Sequence, residues 1–332
     1  MSMKRISVIL LSALIIAGSL IVIYRHHRTE SSGLTTVTIN QAFEHPLYIG
    51  LYVAQDAGFF KQQGLDVRIE TGGGDAQAFS ALTSGKADFA QGDPAFVAIA
   101  NQQGWDGRVI AMAVDRVATW GVTFDKSITP FTDPHQFRNR TVATYPDPNT
   151  SYVVQKQLDQ RAGLILGKTA TILQVPFGTE LATLHNHQAD IAQTVEPNVS
   201  QAVSQGGTVV FSYPDAWGPL AFTGVMTSKK LIDTNPDLVQ RFVTAYEQGL
   251  RYVHDNPAGT LVIAQKRLPN IDPKVLESAL KRLSDSQSIP QHAVVNPESW
   301  NKLLQIRIDV GDLKQMPTEN LVDNQFALKS IK

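Results

Sequence analysis

A two-lobed α/β protein, each lobe a mainly parallel sheet flanked by helices, is the fold this sequence predicts. Three observations carry the prediction. The chain has 332 residues, more than the roughly 250–300 over which a single core goes on growing. From Val37 onward, short β-branched runs alternate with helix-length segments. One pattern is also written twice, as KADFAQGDP at 86–94 and QADIAQTVEP at 188–197. Each copy leads from a helix through a tight turn into a strand, then to an acidic residue and a proline.

The elements follow in order. Ile6–Tyr24 runs 19 residues without a charge, nearly enough at ~1.5 Å per residue to span a ~30 Å hydrocarbon core. It is a membrane span or a signal peptide, and since it is longer than the roughly 7–15 residues of a signal-peptide core, an uncleaved anchor is the favoured reading. Serine stands where a lipoprotein signal needs cysteine, and Thr29–Thr36 is a polar tether. VTI (37–39) reads as a strand, Pro46 opens a helix that Gly58 ends, and DVRIE (66–70) is the next strand. GGG (72–74) turns the chain, Asp75 is placed to cap the helix AQAFSALTS, and Gly85 stops it. DFAQ is a strand, and Pro94 opens a helix to about Gln102. The series resumes with TVATY (141–145), a helix over 151–162, TILQV (171–175), a helix over 181–187, IAQTV (191–195) and a helix from Pro197 to about Gln205. The repeat therefore occupies one structural place in two lobes. In open α/β sheets ligands sit beyond the carboxyl ends of strands, which is where Asp93 and Glu196 fall.

Composition excludes several functions. Net charge is −1 and 18% of residues are charged, so no basic field is available for nucleic acid. Cysteine is absent, which removes disulfides, thiolate nucleophiles and cysteine-based zinc sites. AGLILGKT (162–169) matches a loose phosphate-loop pattern, but it follows a helix and precedes a strand, the reverse of what phosphate binding requires. His185 and His187 are two apart on a helix and face different ways, which argues against a metal site. No catalytic motif is present, and no cofactor is expected.

The stretch HPLYIGLYVAQDAGFFKQQGLDVRIETGGGDAQAFSALTSGKADFAQGDP resembles the opening of the periplasmic substrate-binding proteins of ABC importers, in the sulfonate and thiamine-pyrimidine-precursor branch. Gly58-Phe59-Phe60-Lys61, Gly64-Leu65-Asp66-Val67, Gly72–Gly74 and Gly85–Asp88 carry the likeness. FRNRTVATYPDPNTSY, Glu196-Pro197 and the segment 221–257 extend it over about residues 36–285. The resemblance implies a type II binding-protein fold that closes on a small polar organic solute, and an ABC permease and ATPase as partners. It places the domain outside the cytoplasmic membrane. A membrane-tethered sensor is the alternative. A pyrimidine synthase of the same neighbourhood uses a lysine-held pyridoxal phosphate and its own histidine; Asp93 and Val97 stand at those places here, so a non-enzyme is expected.

The expected organisation is an N-terminal segment and tether (1–34), lobe one (35–122 plus 223–332) and lobe two (123–222). The crossings near Trp120–Phe124 and Leu220–Val225 would act as a hinge, with Gly121 and Gly224 absorbing the backbone change. Candidate ligand contacts in lobe one are Phe43, His45 and Asp93, at a strand end or helix start. In lobe two, Asn149, Thr150 and Ser151 stand at a helix N-terminus, which attracts anions and polar oxygens. Glu196 offers a carboxylate to solute donors, and Tyr145 and Trp217 offer rings to its less polar face. Such a site suits a solute with both a donor and an acceptor or anionic group, such as an aminopyrimidine or an aminosulfonate.

Overall fold

The computed structural model describes residues 33–332, so the anchor expected at Ile6–Tyr24 lies outside the described residues. Within them no helix is long and apolar enough to cross a membrane. The strands are β1 (Thr35–Gln41), β2 (Leu65–Thr71), β3 (Phe89–Gly92), β4 (Gly107–Arg116), β5 (Trp120–Thr123), β6 (Thr141–Thr144), β7 (Thr171–Gln174), β8 (Ile191–Thr194), β9 (Thr208–Ser212) and β10 (Pro219–Ser228). They form two sheets of the same plan, ordered β2-β1-β3-β10-β4 and β7-β6-β8-β5-β9. Each is mixed. β3 runs parallel to β1 and β8 parallel to β6, while β10 and β5, the first strands after each crossing, run antiparallel to both neighbours.

The repeated motif explains why the plans coincide. Asp88 Oδ2 accepts a hydrogen bond from the Thr38 amide at 2.8 Å, and Asp190 Oδ2 accepts one from the Thr141 amide at 2.6 Å. The carbonyls of the same two aspartates accept from Thr227 Oγ1 at 2.8 Å and Thr123 Oγ1 at 2.6 Å. Each aspartate thus ties the start of its strand to one neighbour through its carboxylate and to the other through its backbone. Every residue of β3 and of β8 is buried, Ala90 and Ala192 wholly.

The chain leaves the first sheet at Arg116, enters the second at Trp120, and returns through the helix Tyr213–Trp217 to Pro219. The connecting residues therefore precede the expected crossings, which fall inside β5 and β10. Gly121 and Gly224 are packing glycines in those strands. A methyl group at Gly224 would stand 2.9 Å from Val109 Cγ1, and one at Gly121 would stand 3.1 Å from Ile191 Cγ2.

Helices cover both sheets, and the longest supports the site. Pro236–Asp255 is N-capped by Asn235 and buries Leu238, Val239, Phe242, Val243, Tyr246, Gly249 and Leu250, a stripe at helical spacing. Phe242 stacks on Phe89 of β3 with ring centroids 4.1 Å apart. Gly249 lets the helix press on Ile49–Asp56, because a methyl there would lie 2.4 Å from the Gly50 carbonyl oxygen. The buried 3-10 turn Pro46–Tyr48, capped by His45, leads into that helix from the end of β1.

Candidate functional site

The carboxyl ends of β1 and β3 face those of β6, β7 and β8 across a cleft. Phe43, His45, Asp93, Tyr145, Asn149, Thr150 and Ser151 line one cavity there, joined by Tyr48, Asp75 and Phe177 among others. Of the candidates read from sequence, Glu196 and Trp217 do not reach it. The Glu196 carboxylate is fully buried and already used: it accepts from Ser200 N at 3.0 Å, Ser200 Oγ at 2.9 Å and Arg282 Nε at 2.6 Å. Trp217 packs beneath Arg161, whose guanidinium carbon lies 4.7 Å from the ring centroid.

Asn149 caps the helix Thr150–Arg161 as its residue type predicts, with Oδ1 accepting from Ser151 N at 2.8 Å. The anion-attracting end of that helix, however, is filled from within. Asp93 Oδ2 accepts from Thr150 N at 3.0 Å, from Thr150 Oγ1 at 2.6 Å and from Arg307 Nη2 at 2.6 Å, while its Oδ1 accepts from Ala95 N at 3.0 Å. Arg307, fully buried on the helix Pro297–Val310, also donates through Nη1 to Asp312 Oδ2 at 2.7 Å and to the Pro148 carbonyl.

Asp75 was expected as a helix cap, but it is the first helical residue, after Gly74. Its Oδ1 instead accepts from Asp93 N at 2.9 Å and its Oδ2 from Asn149 Nδ2 at 2.7 Å. Burial, and then the neighbouring Asp93 charge, push its carboxyl up to about 6. His45 is held neutral, since burial pushes it down to about 3. Its Nδ1 accepts from Leu47 N at 3.2 Å, which puts the ring proton on Nε2. Burial raises the Tyr48 and Tyr145 hydroxyls well above their ordinary range, so both stay protonated.

The walls are aromatic. Phe43 and Phe177, from opposite sides, stack with centroids 3.5 Å apart and planes 9° from parallel, and Tyr145 lies 4.9 Å from Phe177. The space left is about 30 Å³, far below the roughly 300–1,000 Å³ of small-molecule sites. Among the described residues that line it there is no lysine or arginine.

The sequence reading missed Tyr48, Asp75, Phe177 and Arg307 as site residues. Phe177 stands shortly after β7 much as Phe43 stands after β1, a positional signal that could have found it. Arg307 had no local signal, being 214 residues from Asp93.

A family model described as NMT1/THI5 like matches residues 45–260. YtlA of Bacillus subtilis (strain 168), whose name proposes a binding role, is 25% identical over 309 residues, covering 90% of this chain and 91% of that protein. The ligand-binding component of an ABC-type import system from Staphylococcus aureus, solved with zinc bound, has a TM-score of 0.75 at 12% identity, covering 89% of this chain and 99% of that one. The alkanesulfonate-binding protein SsuA from Xanthomonas axonopodis pv. citri, bound to MOPS, has a TM-score of 0.69 at 13% identity, covering 89% and 100%. At these identities the two structures establish a shared two-lobe fold.

Proposed function

The chain belongs to the NMT1/THI5-like family, and from that premise we propose that it is an extracytoplasmic receptor. It captures a small, flat, hydrogen-bond-donating solute between its lobes and delivers it to an ABC import permease. Lobe one comprises the segments of the first sheet with the C-terminal helices, and lobe two the residues between the crossings. The N-terminal segment tethers the receptor outside the membrane.

The observation that carries the solute class is the Asp93 carboxylate seated on the N-terminus of helix Thr150–Arg161. A helix end that could hold a sulfonate or nitrate is neutralised by the protein's own anion. Facing the cavity are two carboxylates, Asp75 and Asp93, with Arg307 engaged behind the second. Such a lining disfavours an anion and favours amine, amidine or amino-heteroaromatic groups. The Phe43–Phe177 stack supplies the slot: parting the rings to about 7 Å would admit one aromatic plane in offset stacking on both faces. Solute entry therefore requires the lobes to part, and contacts to both walls draw them together again.

A thermal-shift and calorimetric panel tests this with the full chain: an aminopyrimidine, benzamidine, an alkanesulfonate and nitrate. The first two should stabilise, by about 2.7 kcal/mol at 100 times Kd. Asp75→Asn should weaken the best binder about 10- to 150-fold, the loss expected for a charged hydrogen bond. Stabilisation by the sulfonate or nitrate, with none by the donors, would overturn the charge argument.

A further inference from the structure

A second cavity, of about 440 Å³, shares no lining residue with the cleft. It is enclosed by the helices Ile49–Asp56, Pro236–Asp255, Pro257–Arg267 and Pro273–Asp285. Its volume falls within the roughly 300–1,000 Å³ of small-molecule sites. We propose that it is a second binding site, for a neutral, mainly apolar small molecule that carries a hydroxyl or N–H donor.

The chemistry of the lining argues for that class. Ile49 and Leu283 are fully buried and Ile289 nearly so, and together they give an apolar floor. The apolar surface that a solute would cover belongs to the half-buried Val253, Leu261 and Leu280, which line the same cavity. Two polar groups interrupt it. Thr260 is 3% exposed, and its hydroxyl has no hydrogen-bond partner among the described residues. A ligand able to bond that hydroxyl would satisfy a polar group that folding leaves unpaired. His254 donates through Nε2 to the Pro290 carbonyl at 3.1 Å, and its Nδ1 has no hydrogen-bond partner among the described residues.

An unpartnered hydroxyl that can donate or accept and an unpartnered ring nitrogen are both met by a ligand whose one polar group is a hydroxyl or N–H. At the mouth, Lys281 is paired with Asp285 at 2.7 Å, which leaves the exposed Glu277 as the net charge and disfavours an anion. The contents of the cleft and of this cavity would thus differ: a donor-rich, polar, flat solute in one and an apolar body with a single polar tip in the other.

2-Naphthol, neutral and with one hydroxyl, is a suitable probe, titrated into the full chain by its own fluorescence and by calorimetry. Saturable binding is expected. Ala258→Trp, at the exposed mouth, should fill the opening and weaken binding at least tenfold, and Ser284→Trp serves the same purpose should the first variant fold poorly. Thr260→Val keeps shape and removes the hydroxyl, with an expected loss of about 2- to 12-fold. Phe177→Ala, in the cleft, should leave 2-naphthol affinity unchanged. No saturable binding, or binding lost in Phe177→Ala and kept in well-folded mouth variants, overturns the site. Unchanged affinity in Thr260→Val overturns the donor requirement.

Discussion

Asp93 and Glu196 end the two copies of one motif, both are buried, and both pair with an arginine from the C-terminal helices, yet only Asp93 lines the cleft. The difference lies in their partners. Arg307 has no exposed side-chain surface and holds Asp93 against Thr150, so charge, helix end and lobe contact meet at one point. Arg282 is 28% exposed and draws Glu196 away from the cavity toward the helix Pro273–Asp285. Equal local sequence gives equal position on the sheet, and nonlocal arginines then assign unequal work.

Removing the two arginines separates the two acids most strongly. Arg307→Ala strands a buried carboxylate and should lower stability by about 3–5 kcal/mol in urea unfolding. Arg282→Ala should lower it by less than about 2 kcal/mol, because the Arg282 side chain is partly exposed and Ser200 N and Oγ still donate to the Glu196 carboxylate. Equal losses would show that the two sites do the same job.

Solute affinity separates the acids next. Glu196→Gln should change it less than about threefold, against the much larger loss expected for Asp75→Asn. The pH dependence adds a sign. With its carboxyl raised to about 6, Asp75 is ionised above that pH and neutral below it, so affinity for a solute that is cationic throughout should fall as pH drops through 6. Calorimetry at pH 5 and 7.5 reads the slope, which Asp75→Asn should flatten. In the free protein the same shift acts oppositely on stability. The folded state keeps this proton where the unfolded chain has lost it, so the contribution is full below the ordinary 3.8 and is lost as pH rises through about 6.

The smallest effect concerns the part of the motif where both copies behave alike. Asp88→Ala and Asp190→Ala each remove one carboxylate-to-amide bond of the same geometry, and each should destabilise by about 1–2 kcal/mol. Urea midpoints that differ strongly between the two would mean that the sheets do not weigh the motif equally.

Much of the fold was legible because its signals are local. Each strand read from β-branched runs appears within a residue or two, and Gly58 and Gly85 take the left-handed φ values of 81° and 75° that end their helices. Phe43, His45 and Asn149–Ser151 could be placed at the cleft for the same reason: a residue just beyond a strand faces the open edge of the sheet. Local signals in the sequence alone therefore reached β1, β2, β3, β6, β7, β8 and the loops that meet. In contrast, β4, β5 and β9 went unread, and the sheets expected to be mainly parallel are mixed, because β5 and β10 enter antiparallel after each crossing. Only tertiary structure decided the chemistry between those loops. The filling of the Thr150 helix end by Asp93, the capture of Glu196 by Arg282 and the closure of Phe43 on Phe177 all join residues far apart in the chain. Such pairs depend on how two lobes pack, and no local propensity or spacing encodes that distance.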